Sequence, residues 1–232
     1  MIKPSKQTQE FIKTYFPFMK VRKNEVKFKV SETDTYEIPS DIYPLRNKST
    51  AKIFSYANTE PLENEPKIAQ IFDSITLQTG FCYTNTEKLK EALMKAGIHD
   101  FKTYTGWIFL NGLPVHHCWL VYKDKYVFDA GVSMVDDAFQ SAMAENPDAT
   151  MDEARLIYKQ IFESYQDKSN SETYTSGQVA PFALYVGSET TPDQGRVIYN
   201  ELINKHPDHP SYQAEGMNAN GRSKLQEMLD EN

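Results

Sequence analysis

Cysteine is scarce in this chain, with two residues, Cys82 and Cys118, among 232. One disulfide between them is not excluded by counting, but a chain of this length needs no covalent staple. Long apolar runs are missing as well: no window approaches the roughly 18–20 residues that a membrane helix requires. The opening MIKPSKQTQEFIKTYFPFMK begins with charge yet has no apolar stretch followed by a small-residue cleavage site, so a cytoplasmic protein that does not engage membrane is expected. Positive charge is in deficit, 25 Lys and Arg against 32 Asp and Glu for a net −7, which makes nucleic acid a poor partner. There is no internal repeat and no long low-complexity tract.

Metal motifs are absent in the same sense. Cys82, His99, His116, His117, Cys118 and Asp129 supply enough donors for zinc, but no C-x2-C pair or H-E-x-x-H helix organises them. Two adjacent histidines on a strand point apart, so His116 and His117 do not hold one ion together. No cofactor is expected.

What the chain has in quantity is aromatic residues, 14 Tyr and 13 Phe, enough to fill a mixed core and line part of a groove. The spacing of Phe11, Ile12 and Phe16 predicts a short helix, and the alternation Val26, Phe28, Val30 a strand. From Pro39 to about Glu65, Pro39, Pro44 and Pro61, with Pro66 just beyond, interrupt any period, and irregular chain is expected. NEPKIAQIFDSI predicts a short helix. After Cys82, Leu89, Ala92, Leu93 and Ala96 recur at helical spacing, with Gly97 placed to cap.

FKTYTGWIFL, LPVHHCWLVY and YVFDAG are then three aromatic and β-branched runs joined by the turns NG and KDK, an antiparallel meander. VDDAFQSAMAENP and TMDEARLIYKQIFESYQ follow as helices, the second opened by Thr150 with Glu153 in capping-box spacing. DKSNSETYTSGQ is expected to be mobile and APFALYVG to return as an edge strand. TPDQGRVIYNELINKHP predicts a last helix, with Pro192 in its first turn.

Cysteine-based acyl transfer needs a thiol, a base to take its proton, and a group that fixes the base's tautomer. Cys82 stands where a Gly- and Thr-rich turn becomes a helix, where unpaired amides and the helix dipole favour a thiolate and can serve a developing oxyanion. On the strand VHHCW, His117, Trp119 and Val121 share one face and His116, Cys118 and Leu120 the other. A hairpin with an odd-membered loop centred near Lys123 sets Asp129 opposite His117 on the same face, where its carboxylate can accept the imidazole N–H. A one-residue change of register would substitute His116 as the base. Cys118 is read as core packing.

GFCYTNTEKLKEAL followed by TGWIFLNGLPVHHCWLVYKDKYVFDAG resembles bacterial and phage papain-like or transglutaminase-like thiol enzymes. Their pattern is Gly-x-Cys-Tyr-x-Asn, a helix, a Gly-Trp strand, His-x-Trp, and an Asp on the next strand. The resemblance covers about residues 76–133. It implies Cys82 as nucleophile, His117 as base and Asp129 as orienter, with Gln78 a candidate oxyanion donor. The spacings of 35 and 12 residues are closer to the transglutaminase, arylamine acetyltransferase and peptide-glycanase branch than to papain.

The fold expected is α+β, a nucleophile helix packed on an antiparallel sheet, a papain/transglutaminase-like core with added helices. It forms a single domain over 1–232, with a catalytic core at 66–133, a helical cover at 134–205 and a loose tail at 212–232. The activity expected is that of a cysteine hydrolase or acyltransferase, a thiol protease among the options, acting on a peptide, protein or small acyl donor. A binding or structural protein that keeps the scaffold without turnover, and a metal-dependent hydrolase, are the competing classes.

Overall fold

The structure is a computed structural model that describes residues 6–15, 20–21, 25–29, 35–39, 51–62, 65–78, 81–110, 113–181 and 183–205. The expected loose tail at 212–232 lies outside the described residues. The chain begins with α1 (Lys6–Tyr15) and a small antiparallel sheet of β1 (Lys20–Val21), β2 (Glu25–Lys29) and β3 (Thr35–Pro39). After β4 (Ala51–Ser55) come two helices, α2 (Pro66–Asp73) and α3 (Cys82–Lys95), then the meander β5 (Phe101–Leu110), β6 (Leu113–Tyr122) and β7 (Tyr126–Ser133). Three helices follow, α4 (Met134–Glu145), α5 (Met151–Tyr165) and α6 (Asn170–Thr173), then β8 (Tyr174–Gly177), β9 (Ala183–Glu189) and α7 (Pro192–Lys205). The large sheet runs β4-β9-β5-β6-β7-β8 and is antiparallel at every pairing. The fold is therefore mixed α+β, an antiparallel sheet with several packing helices.

Two apolar layers fix the position of α3. On one side of the meander, Leu120 and Tyr122 of β6 and Phe128 and Ala130 of β7 pack under Ile68 and Phe72 of α2 and Leu89 and Leu93 of α3. On the other side, Trp119, Val121 and Val127 meet Tyr104, Tyr185 and Phe54. This is the period-2 alternation of a sheet covered on both faces. Gly97 ends α3 with a left-handed φ of 78°, and Ile98 N donates back to Leu93 O at 2.9 Å. Thr150 and Glu153 form the expected capping box at the start of α5.

Three expectations are corrected. The segment read as irregular chain from Pro39 to about Glu65 contains β4, whose Ile53, Phe54 and Ser55 are buried against β9. The strand expected at an edge, β9, lies between β4 and β5, with Ala183 to Ser188 all buried. The segment expected to be mobile forms α6 and β8, one of the two edge strands of the large sheet. Its polar side chains are tied down locally: Asn170 Nδ2 donates to the carbonyls of Phe72 (2.8 Å) and Ile75 (2.6 Å), and Ser171 N donates to Asp73 Oδ1 (2.7 Å).

The β6–β7 hairpin decides how the site is built. Its loop is Lys123–Lys125, with Lys123 and Asp124 both left-handed (φ 50° and 59°) and Lys125 N bonded to Tyr122 O at 3.1 Å. The paired residues are Tyr122 with Tyr126, Val121 with Val127 and Leu120 with Phe128. The loop is odd-membered as expected, but it centres on Asp124, not Lys123. Continued past Leu120 and Phe128, this register brings Asp129 level with Trp119 and Ala130 level with Cys118. The bridged pairs stop before that point. Along the other edge of β7, Ala130, Gly131 and Val132 intervene between two successive pairings with β8, an irregularity that bends the strand away.

Candidate active site

Side chains from the first turns of α3 fill the place where β6 and β7 part. Asn85 is fully buried, and its Nδ2 donates to Ala130 O at 2.6 Å; Thr86 Oγ1 donates to Cys118 O at 3.2 Å. These two carbonyls belong to Cys118 and Ala130, which would face each other two levels beyond the last bridged pair of the hairpin. Helix side chains thus satisfy backbone groups that the missing ladder leaves open, as buried carbonyls require. Asn85 also grips the chain leading into its own helix, with Nδ2 to Gln78 O at 2.7 Å and Oδ1 accepting from Gln78 N at 3.2 Å. The opening lets the start of α3, which packs on one face of the sheet, reach a histidine that belongs to the other.

Cys82 is the first residue of α3 and is partly exposed. The N-cap is Phe81, which supplies no side-chain acceptor to the first-turn amides and is itself 44% exposed. Gly131 lies directly against Cys82. A Cβ built on it would stand 2.6 Å from Cys82 Cβ and 2.6 Å from His117 Cε1, so those two atoms are separated by no more than twice that distance. The Cys82 side chain and the His117 ring therefore meet across the space that Gly131 leaves open.

On its other side the His117 ring meets a carboxylate. Nε2 lies 2.6 Å from Asp129 Oδ1, which also accepts from Gly131 N at 2.8 Å. The second oxygen, Oδ2, accepts from the Tyr185 hydroxyl at 2.6 Å. Asp129 is 0% exposed and His117 3%. Burial opposes charge on the ring, but the Asp129 carboxylate and its hydrogen bond, together with the neighbouring Cys82 sulfur, more than reverse it and raise His117 to about 10. Trp119 lies nearly parallel to the ring, with centroids 6.4 Å apart and planes 15° apart, and limits its tilt.

Cys82, His117 and Asp129 are thus brought together. His116 is not part of the group. It faces the helix side, with Nδ1 3.1 Å from the Tyr83 hydroxyl and its ring edge-on to Trp107. Burial, and secondarily the neighbouring His117, lowers it to about 3, so it stays neutral. Cys118 is a free, fully buried thiol beside Thr105, pushed up by burial, as a packing residue should be. Gln78 is exposed; the contacts seen for it are the backbone bonds to Asn85 and its carbonyl's bond from Phe81 N (3.2 Å).

Tyr185 and Gly131 were not singled out from the sequence. Tyr185 sits in an apolar strand run where nothing marks a tyrosine as polar, and Gly131 reads as an ordinary turn glycine. Asn85 braces both the turn before the cysteine and the β7 backbone.

Among the described residues, no group of three or more His, Cys, Asp and Glu side chains is arranged to hold a metal ion, and no helix is long and apolar enough to cross a membrane. Compared with known proteins, the chain matches no family model, no curated protein and no solved structure. Its chemistry is read from the placement of its own side chains.

Proposed function

We propose that this protein is a cysteine-dependent acyl-transfer enzyme with Cys82 as nucleophile, His117 as base and Asp129 as orienter. The observation that carries the reading is the buried His117 ring, bonded through Nε2 to the Asp129 carboxylate and lying against the Cys82 side chain across Gly131. In this scheme the ring holds the proton that the thiol gives up. The thiolate attacks the carbonyl of an amide, isopeptide or thioester, forming a carbon–sulfur bond, while first-turn amides of α3 stabilise the tetrahedral oxygen. His117 then passes its proton to the leaving amine or thiol as the scissile bond breaks. Water or an amine attacks the acyl-enzyme, giving its own proton to His117, and the sulfur leaves. Asp129 keeps Nε2 as the proton-bearing nitrogen throughout, so the nitrogen facing the sulfur does the exchange.

The same three residues, with the helix-to-sheet arrangement, support placing the chain among papain-like or transglutaminase-like thiol enzymes, with hydrolase, thiol protease and transferase activities all compatible. A peptide, a protein or a small acyl donor fits as substrate. Two free thiols suit a reducing, cytoplasmic setting. Gln78 enters this scheme as an oxyanion donor only if its side chain turns toward Cys82 in the substrate complex.

The test is mass spectrometry after incubation with a panel of electrophilic ester and amide probes. The expected result is a single acyl adduct on Cys82, absent in Cys82→Ala and retained in Cys118→Ala. Adducts spread over both cysteines, or none on Cys82, would remove the proposal.

A further inference from the structure

The Tyr185 hydroxyl has no place in the steps above, yet it makes one of the shortest side-chain contacts of the buried region. Asp129 is closed off from water, so each of its oxygens must be satisfied by protein. Oδ1 receives both His117 Nε2 and Gly131 N; Oδ2 receives Tyr185. A carboxylate can rotate about its Cβ–Cγ bond, and donors on one oxygen alone leave that rotation soft. A donor fixed on the second oxygen closes it.

Tyr185 is well placed to be that fixed point. It lies on β9 between β4 and β5, paired with Phe54 on one side and Ile108 on the other. Its ring is buried and edge-on to Trp119, centroids 5.1 Å apart, and Trp119 in turn lies flat beside His117. One strand therefore holds the carboxylate through a hydroxyl and, through Trp119, backs the imidazole.

We infer that Tyr185 is a positioning residue for the acyl-transfer site: its hydroxyl fixes the plane of the Asp129 carboxylate so that Oδ1 stays aimed at His117 Nε2. The inference rests on the catalytic reading for its effect on rate, but not for its effect on geometry. Substituting Tyr185 by Phe keeps the ring that packs on Trp119 and removes the hydroxyl alone.

The experiment uses the full chain and compares native, Tyr185→Phe, Asp129→Asn and the double variant. The far-downfield proton resonance of the His117 Nε2–H bonded to Asp129 is followed by NMR, and the rate of Cys82 acylation by an activated ester is measured beside it. Tyr185→Phe is expected to shift or broaden that resonance and to slow acylation roughly tenfold, the size typical of losing an orienting partner one step behind the reacting groups. In the Asp129→Asn background the same substitution is expected to change the rate no further, because the hydroxyl acts through the carboxylate. An unchanged resonance, or equal slowing in both backgrounds, would overturn the inference.

If Tyr185→Phe does not fold, site-specific 3-fluorotyrosine at position 185 keeps the shape and alters only donor strength. It should move the His117 resonance, and no movement counts against the inference. If the native chain takes no acyl group at Cys82, the catalytic reading fails, and the resonance still decides the role of Tyr185.

Discussion

Asp129 reaches His117 diagonally. In the register of the β6–β7 hairpin the carboxylate comes level with Trp119, and it bonds to a ring two residues further along the strand at 2.6 Å. Such diagonal neighbours share a face and lie within reach of long side chains. Asp129→Asn should therefore leave the fold in place and slow acylation of Cys82 roughly 1,000- to 10,000-fold, by weakening the group that fixes the ring's tautomer. Stopped-flow acylation read beside thermal unfolding checks this; a loss under tenfold would show that the ring does not depend on the carboxylate.

Gly131→Ala tests the closeness of thiol and ring. The new methyl would stand 2.6 Å from both Cys82 Cβ and His117 Cε1, so one of them must move. The constraint is space, since the φ of Gly131 is not among the positive ones. Overpacking of this kind costs about 1–3 kcal/mol. The expected signature is a larger loss of acylation than of stability, measured by urea unfolding. Unaltered acylation would place the reacting groups elsewhere.

Asn85 and Thr86 replace a missing part of the hairpin ladder, and their removal should differ in size. Asn85→Ala strips partners from Ala130 O and from both backbone groups of Gln78, and should cost about 1–3 kcal/mol per buried group left unsatisfied. Thr86→Val removes one longer bond and should cost about 1 kcal/mol. Denaturant midpoints compare the two, and equal effects would mean that Asn85 is not the principal brace.

Stability should carry a pH signature from His117. Its value rises from an ordinary 6.5 to about 10 on folding. The folded state thus binds this proton more tightly than the unfolded chain, and the contribution is fully present below the unfolded value and lost as pH climbs through the folded one. The difference in denaturant midpoint between the native chain and His117→Gln should be widest below pH 6.5 and shrink toward pH 10. A gap that widened with rising pH would mean that the ring is held neutral.

The parts legible in the sequence are those written in local chemistry. The helix of Cys82 shows in the Leu89, Leu93, Gly97 spacing, α5 in its Thr150–Glu153 box, and the meander in three β-branched and aromatic runs between turn residues. Pleat alternation, together with an odd-membered turn at KDK, assigned His117 and Asp129 to one face. What depends on distant partners was not legible. β4 is a strand because β9 pairs with it, and the unbroken burial of β9 is that of a central strand rather than an alternating edge. The parting of β6 and β7, which gives Cys82 its access to His117, depends on Asn85 and Thr86 arriving from another element.

The surface loop at Lys123–Lys125 imposes a parity rule on the chemistry beneath it. Because successive residues of a strand face opposite ways, a one-residue slip of β7 against β6 at this turn would swing the acid away from the imidazole and offer a neighbour such as Phe128 or Ala130 in its stead. A two-residue change slides the acid one step along the same side. A solvent-facing turn, ordinarily the freest part of a protein, thus holds the register that keeps acid and imidazole on one side.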